Sequence, residues 1–239
     1  MSSFIGEFFG TMFLIILGDG VVANVLLNKS KGQNSGWIVI TAGWGFAVMA
    51  GVFVSNALGG PGGLNPAGQI AGIIGGANVG VAITNIVAEF LGAFVGAIVV
   101  WLVYMPHWAE TKDAGLKLAV FSTGPAIRNP ALNFLTEAIV TFVLIFGANA
   151  IFSKLGGGGT TAGLGALLIG AFIWGIGLSL GGPTGYAINP ARDLGPRIAH
   201  FLLPIAGKGD SDWGYSWVPV LGPIVGAVVA AVLWKMVAG

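Results

Sequence analysis

The chain has 239 residues, of which 55% are hydrophobic and only 8% are charged, and its mean hydropathy is +0.89. Soluble globular proteins carry about 25% charged residues, so this composition excludes an ordinary soluble domain and indicates a polytopic α-helical membrane protein. Cysteine is absent, which excludes disulfides and thiolate sites, and the net charge of +1 gives no indication of nucleic-acid binding.

Six hydrophobic stretches are long enough to cross a membrane, whose hydrocarbon core of about 30 Å needs about 20 helical residues. The predicted spans are approximately Phe4–Leu27, Trp37–Leu58, Ala82–Tyr104, Ala131–Ile151, Thr161–Leu180 and Trp217–Val237. The residues before the first span lack the basic region of a signal peptide, so we expect this span to belong to the mature protein. The run Gly156–Gly159 predicts a flexible linker between the fourth and fifth spans.

Asn-Pro-Ala triplets occupy corresponding positions in the two halves of the chain, and each opens a hydrophobic segment too short to span a membrane. They consist of Asn65, Pro66 and Ala67, and of Asn189, Pro190 and Ala191. Asn is a strong helix N-cap and Pro is favoured at the first helical position, so the triplets predict helices of approximately Pro66–Gly75 and Pro190–Leu203. Ten helical residues extend about 15 Å, half of the hydrocarbon core. Two half-helices meeting end to end would complete one crossing, with both N-termini near the midplane.

The two halves of the chain form an internal repeat. Glu7 in the first span corresponds to Glu137 in the fourth, and Gly92 and Gly222 keep the same spacing of 130 residues. Because each copy has three spans, an odd number, the second copy must have the inverted topology. Inverted repeats with discontinuous helices are a recurrent transporter design. The sequence therefore predicts one membrane domain, with repeats at approximately 4–104 and 131–237 joined by a loop over 105–130.

Three strings resemble the aquaporin superfamily. They are GEFFGT at residues 6–11, LNPA at residues 64–67 and GYAINPARDLGPR at residues 185–197. The last string is similar to the glycerol facilitator (aquaglyceroporin) branch, in which an Asp follows the Arg of the second motif, as Asp193 follows Arg192 here. The resemblance covers nearly the whole chain, roughly from Phe4 to Val237.

This resemblance implies an all-α membrane protein of six transmembrane helices and two half-helices, arranged as an inverted repeat in an aquaporin-like right-handed bundle. It also implies a pore in every subunit, a homotetramer in the lipid bilayer and cytoplasmic termini. The basic residues point the other way, because most of them lie on the loops opposite the termini, where the positive-inside rule would place the cytoplasm. We follow the resemblance on this point. No metal or cofactor is expected, because His107 and His200 have no Cys or carboxylate at metal-ligand spacing.

By the same resemblance, the selectivity constriction maps onto Trp44, Gly177, Tyr186 and Arg192. Arg192 would present fixed N–H donors and a permanent charge, which suit solute hydroxyls and form a barrier to cations. Trp44 and Tyr186 would offer an apolar surface for the carbon atoms of the solute. Gly177 would leave room for a three-carbon molecule.

Other polar groups would carry a solute along the pore. Asn65 and Asn189 could cap their half-helices through the side-chain oxygen and turn the NH2 group to the pore, while the helix dipoles repel cations and protons. An extended chain that lines a cavity exposes its carbonyls. The expected carbonyl ladder consists of Gly62, Gly63, Leu64, Tyr186, Ala187 and Ile188.

The acidic residues allow more than one interpretation. Glu7 and Glu137 could be proton relays, or each could accept hydrogen bonds from loop N–H groups ahead of a half-helix; the repeat symmetry favours this structural role. Asp193 is expected to pair with a nearby donor and to support the second loop. Asp19 and Glu89 have no acidic counterpart in the repeat, and Asp19 could face the pore vestibule.

The leading hypothesis is a passive, non-enzymatic channel for glycerol, water and similar small uncharged solutes. Many family members carry a histidine at the position of Gly63 and glycerol facilitators commonly carry Phe at that of Tyr186, so the order of glycerol, dihydroxyacetone, urea, water and small hydroxy acids is open. A water-selective channel is the second hypothesis, against which Gly177 and Asp193 argue. A proton-coupled transporter using the membrane carboxylates is the third. An intramembrane enzyme lacks a visible nucleophile–base pair or metal cluster.

Overall fold

A computed structural model describes residues 2–153 and 163–238, and the regular secondary structure of these residues is helical. The helices are α1 (Ser3–Leu26), α2 (Trp37–Ala57), α3 (Pro66–Ile74), α4 (Val79–Val103), α5 (Met105–Glu110), α6 (Ala114–Phe121), α7 (Pro130–Phe152), α8 (Leu164–Leu180), α9 (Pro190–Leu202) and α10 (Val218–Ala238). The predicted linker Gly156–Gly159 and the first residues of the predicted fifth span lie outside the described residues.

Five of these helices, α1, α2, α4, α7 and α10, are long and apolar enough to cross a membrane. The described part of the remaining predicted span is α8, an apolar helix of 17 residues that extends about 26 Å. The observed bounds agree with the predicted spans to within a few residues. The all-α membrane fold predicted from the sequence is therefore confirmed.

The two short helices begin at the Asn-Pro-Ala triplets, as predicted. The side-chain oxygen of Asn65 accepts from the backbone N–H of Ala67 at 2.9 Å, and that of Asn189 accepts from Ala191 at 3.0 Å and Arg192 at 3.2 Å. α3 has 9 residues and α9 has 13. Each is too short to cross a bilayer, so both are half-helices.

The packing of the helices repeats between the two halves. In the first half α1 packs against α2 and α4, and in the second half α7 packs against α8 and α10. The half-helices cross over, because α3 packs against α10 and α9 packs against α4. Glycines permit the close approach of the long helices: a Cβ added at Gly92 would clash with the carbonyl of Phe8, and one at Gly226 would clash with that of Ala138.

The predicted loop over 105–130 contains two short helices, α5 and α6. α6 begins at Asp113, whose carboxylate accepts from the backbone N–H groups of Gly115 at 2.7 Å and Leu116 at 3.2 Å. It packs against α1 and α9, and its Lys117 is buried, with Nζ donating to the carbonyls of Ala206 and Gly207. The loop over 105–130 is thus attached to the half-helix α9, which a hydrophobicity pattern alone does not indicate.

Candidate pore and constriction

A cavity of about 670 Å³ lies where the half-helices meet. Side chains from both repeats line it, including Asn65 and Asn189, and so do Trp44, Tyr186 and Arg192. The loop segments before the half-helices, residues 61–65 and 186–189, also line it. The structure therefore brings three of the four predicted constriction residues and both capping asparagines to one cavity.

The two asparagines bridge the loops of opposite repeats. Nδ2 of Asn65 donates to the carbonyl of Ile188 at 2.8 Å, and Nδ2 of Asn189 donates to the carbonyl of Leu64 at 2.7 Å. Each NH2 group carries two hydrogens, so one hydrogen on each remains for a solute. The asparagines are thus N-caps, ties between the two repeats, and donors at the cavity.

Buried carboxylates hold both loops. Oε1 of Glu7 accepts from the Ser55 hydroxyl at 2.7 Å and from the N–H groups of Gly62 at 2.9 Å and Gly63 at 3.1 Å, while Oε2 accepts from Leu64 N–H at 2.6 Å.

Glu137 makes the equivalent contacts in the second repeat, accepting from the N–H groups of Ala187 at 3.0 Å and Ile188 at 2.9 Å. Both glutamates are fully buried. These contacts agree with the structural interpretation of the two glutamates, in which each accepts hydrogen bonds from loop N–H groups.

Arg192 lies over the ring of Trp44, with Cζ 3.9 Å from the ring centroid. Both residues are more than nine-tenths buried. Gly18 lies directly against the Trp44 ring, because a Cβ added at Gly18 would clash with that ring. Asp19, the next residue, is fully buried, and its Oδ1 lies 3.7 Å from Nη1 of Arg192. Asp19 therefore faces Arg192 and not an open vestibule.

The room beside Gly177 is occupied by Tyr186. A Cβ added at Gly177 would lie 2.8 Å from both Cζ and the hydroxyl oxygen of Tyr186. Trp37, which sequence reasoning missed, completes this contact: its Nε1 donates to the Gly177 carbonyl at 3.1 Å, and its ring meets Tyr186 edge to face at 5.9 Å. The Tyr186 ring therefore takes up the space that the missing side chain of Gly177 leaves.

Asp193 lies behind the cavity and is paired with Arg197, a residue that the sequence analysis also missed. Oδ1 of Asp193 accepts from Nε of Arg197 at 2.8 Å, and Oδ2 accepts from the N–H and hydroxyl of Thr123 at 2.7 and 2.8 Å. Arg197 donates further to the carbonyls of Ser211 at 2.8 Å and Thr123 at 3.0 Å. The spacing of four residues on a helix was the available signal for this pair.

Comparison with known proteins agrees with this geometry. The model of the family described as major intrinsic protein matches residues 1–234. The chain belongs to the major intrinsic protein family.

This major intrinsic protein is similar to proteins named as glycerol facilitators. It is 57% identical over 236 residues to a probable glycerol uptake facilitator protein of Thermotoga maritima. These residues cover 98% of this chain and 99% of the relative. It is 51% identical over 237 residues to a glycerol uptake facilitator protein of Streptococcus pneumoniae, covering 99% of both. The X-ray structure of the aquaglyceroporin from Plasmodium falciparum superposes with a TM-score of 0.86 at 30% identity, covering 99% of this chain and 96% of that one.

The resemblance to the aquaporin superfamily and its glycerol facilitator branch is thereby confirmed. As a major intrinsic protein, the chain is a multi-pass membrane channel and not an enzyme. The hypotheses of an intramembrane enzyme and of a proton-coupled transporter have no support from these relatives.

One departure from the family pattern has a structural counterpart. At Gly63, where many members carry histidine, an added Cβ would lie 2.5 Å from Nε2 of Gln69. Gln69 comes from α3, lines the cavity, and donates to Oε1 of Glu89 at 2.8 Å. The side chain of Gln69 therefore lies where a side chain at position 63 would begin.

Proposed function

We propose that this protein lets glycerol and similar small uncharged solutes, namely dihydroxyacetone, urea and small hydroxy acids, diffuse together with water across the cell membrane, while it excludes ions and protons. The observation that carries this proposal is the stacking of Arg192 on Trp44 at the same cavity as the two capping asparagines. The names of the similar proteins from Thermotoga maritima and Streptococcus pneumoniae support glycerol as the solute.

At the constriction a polyol meets donors on one side and apolar rings on the other. The guanidinium of Arg192 donates to hydroxyl oxygens, and the rings of Trp44 and Tyr186 contact the CH groups. Gly177 takes part indirectly, because its lack of a side chain lets the Tyr186 ring lie against it. A solute that has both hydroxyl and CH faces matches this pair of surfaces better than an ion does, because an ion gains nothing from the apolar side.

Further along the pore the solute exchanges weak hydrogen bonds. One hydrogen of each asparagine NH2 group, on Asn65 and Asn189, is available to a solute oxygen. The backbone carbonyls accept from solute hydroxyls as the ladder of Gly62, Gly63, Leu64, Tyr186, Ala187 and Ile188. Repeated weak contacts favour rapid passage over tight binding.

The half-helices exclude cations and protons. Each N-terminus carries about half a positive charge from its macrodipole, and both N-termini point at the cavity. Glu7, Glu137 and the Asp193–Arg197 pair hold the loops in place and do not touch the solute. The chain acts as one channel domain, assembles as a homotetramer and keeps its termini in the cytoplasm. Apolar outer positions such as Ile38, Phe46 and Ile83, which are more than half exposed, suit contacts with lipid or a neighbouring subunit.

Purified protein in liposomes tests the proposal by stopped-flow light scattering. We expect glycerol to enter proteoliposomes faster than empty liposomes, and the potassium and proton permeabilities to stay at the level of empty liposomes. Glycerol entry no faster than in empty liposomes would reject glycerol as a solute.

A water-selective channel is the second candidate, favoured by the way Tyr186 fills the room beside Gly177. The same instrument distinguishes the two candidates. Fast osmotic water flow with complete exclusion of glycerol would establish water selectivity, whereas entry of both glycerol and water supports the proposal.

A further inference from the structure

Asp19 is a membrane carboxylate without a hydrogen-bond donor. It is fully buried in α1, and neither of its oxygens accepts a hydrogen bond within residues 2–153 and 163–238. Nη1 of Arg192 lies 3.7 Å from Oδ1 of Asp19. This nitrogen is also buried and has no hydrogen-bond partner among the described residues. A buried carboxylate without donors is costly unless a nearby opposite charge compensates it. Arg192 supplies that charge.

The other charges around Arg192 already balance. On α9, Asp193 and Arg197 form a fully buried pair at 2.8 Å, and Arg197 is further satisfied by backbone carbonyls. Arg192 is the cation of α9 that this pair leaves uncompensated. An ionised Asp19 would bring the sum of these four side-chain charges to zero.

We propose that ionised Asp19 is the counter-ion of Arg192 and sets the charge selectivity of the constriction against small anions. This inference rests on the proposed function, because it concerns the same pore. Without Asp19, the guanidinium and the two half-helix N-termini would add to a positive field at the cavity, which attracts anions such as chloride, formate and lactate. With Asp19 in place, the field of the pair falls off steeply with distance.

Asp19 also leaves Arg192 able to bind a neutral solute. A carboxylate at 3.7 Å from one nitrogen compensates the charge without a close hydrogen bond, so the donors of the guanidinium are not withdrawn from the cavity. The Trp44 ring stacks on one face of the guanidinium and so fixes the orientation of its plane. The arginine thus keeps its hydrogen-bonding groups while its attraction for anions is reduced.

The test replaces Asp19 by asparagine, which keeps the shape and removes the charge. Proteoliposomes of the Asp19→Asn variant are assayed for chloride and formate influx with an anion-sensitive dye, and for glycerol entry by light scattering. We expect anion influx to rise by about tenfold or more over that of the unmodified protein, because a unit charge a few ångströms away acts strongly in a protein interior. The matched control is Glu110→Gln, which removes one carboxylate from an exposed ion pair with Lys29 and should leave anion influx unchanged.

A double variant, Asp19→Asn with Arg192→Gln, separates charge from packing. If the anion leak arises from the uncompensated guanidinium, the double variant loses it. If the single variant does not purify as a monodisperse protein while the double variant does, the unpaired charge is again the cause, and the proposal is supported.

Three outcomes would overturn the inference. They are an Asp19→Asn variant that matches the unmodified protein in anion and glycerol flux, an anion leak that persists in the double variant, and failure of both variants to fold. Glycerol entry by the unmodified protein is measured in the same liposomes. Its absence would reject the proposed function, whereas its presence with a silent Asp19→Asn variant would reject only the role of Asp19.

Discussion

The loops before the two half-helices share positive φ angles at equivalent positions but carry different side chains there. Gly62 of the first loop corresponds to Tyr186 of the second, and both have positive φ, at 75° and 38°. Both loops also end in a non-glycine residue with positive φ, Leu64 at 54° and Ile188 at 47°. The carbonyl of each of these last residues accepts from the asparagine of the opposite repeat.

The difference between Gly62 and Tyr186 suggests separate roles for the two loops, one that supports a half-helix and one that also selects the solute. The left-handed region costs an L-residue about 1–2 kcal/mol, and glycine avoids the cost. The first loop uses glycine at position 62, whereas the second keeps Tyr186 there and so places an aromatic ring against Gly177 and Trp37. A strained residue with this contact supports the proposal that the second loop carries the selective side chain.

The carboxylates that hold the loops provide the largest expected effect. Glu7→Ala removes the acceptor of three N–H groups and one hydroxyl, and Glu137→Ala removes the acceptor of two N–H groups. Each buried N–H left without an acceptor costs about 1–3 kcal/mol. We therefore expect both variants to lose thermal stability and glycerol flux, with Glu7→Ala the more severe.

The measurement is the midpoint temperature for loss of the monodisperse peak in size-exclusion chromatography, together with glycerol entry into liposomes. Thr136→Ala is a suitable control, because the hydroxyl of this half-buried residue donates to the Leu132 carbonyl of its own helix. A Glu137→Ala variant less stable than Glu7→Ala would show that the second loop depends on its carboxylate more than the number of hydrogen bonds indicates.

The contact between Gly177 and Tyr186 gives an intermediate effect. A methyl group at position 177 would lie 2.8 Å from the Tyr186 ring and 3.0 Å from Cγ2 of Thr41, so Gly177→Ala must push the ring toward the cavity. Overpacking of this kind costs about 1–3 kcal/mol, and we expect glycerol entry to fall by about tenfold while water flow falls less. Stopped-flow light scattering measures both the glycerol entry and the water flow.

Gly175 on the same helix supplies the control for this variant. Nothing lies within 4 Å of a Cβ added there, and the residue is exposed, so Gly175→Ala should leave both fluxes unchanged. Equal glycerol fluxes in the two variants would mean that the Tyr186 ring does not narrow the path.

The helices could be predicted from the sequence because hydrophobic length and Asn-Pro caps are local signals. A third triplet shows their limit: Asn129, Pro130 and Ala131 begin α7, where all three residues are exposed and the Asn129 side chain accepts from Leu132 N–H at 3.2 Å. The triplet by itself marks a helix start. Only the pairing of two such starts at the cavity, through contacts between the repeats, makes a pore element of it.

Several contacts of the candidate site had no local signal. Asp19 meets Arg192, Gln69 occupies the room at Gly63, and Trp37 closes on Tyr186, each across different helices or loops. Such contacts depend on how α1, α2 and the half-helices cross, and hydrophobic patterns do not specify crossing positions. Side-chain types indicated the chemistry of the constriction, whereas its charge balance required the tertiary packing.

The smallest expected effect comes from the Tyr186 hydroxyl. This buried group has no hydrogen-bond partner among the described residues, and it lies at the contact with Gly177. Tyr186→Phe should leave the free energy of unfolding within about 1 kcal/mol, because no hydrogen bond is lost. Since Phe lacks the hydroxyl that lies against Gly177, the ring can move closer to Gly177, and we expect glycerol entry to rise by about two- to threefold.

Tyr215→Phe is the matched control for this last variant. The Tyr215 hydroxyl is likewise buried and unpaired in the described part of the chain, but its ring lies beneath Arg128 and not at the cavity. Its removal should leave glycerol entry unchanged. A decrease in glycerol entry with Tyr186→Phe would instead identify the hydroxyl as a solute ligand, and the second loop would then select by hydrogen bonding as well as by the position of its ring.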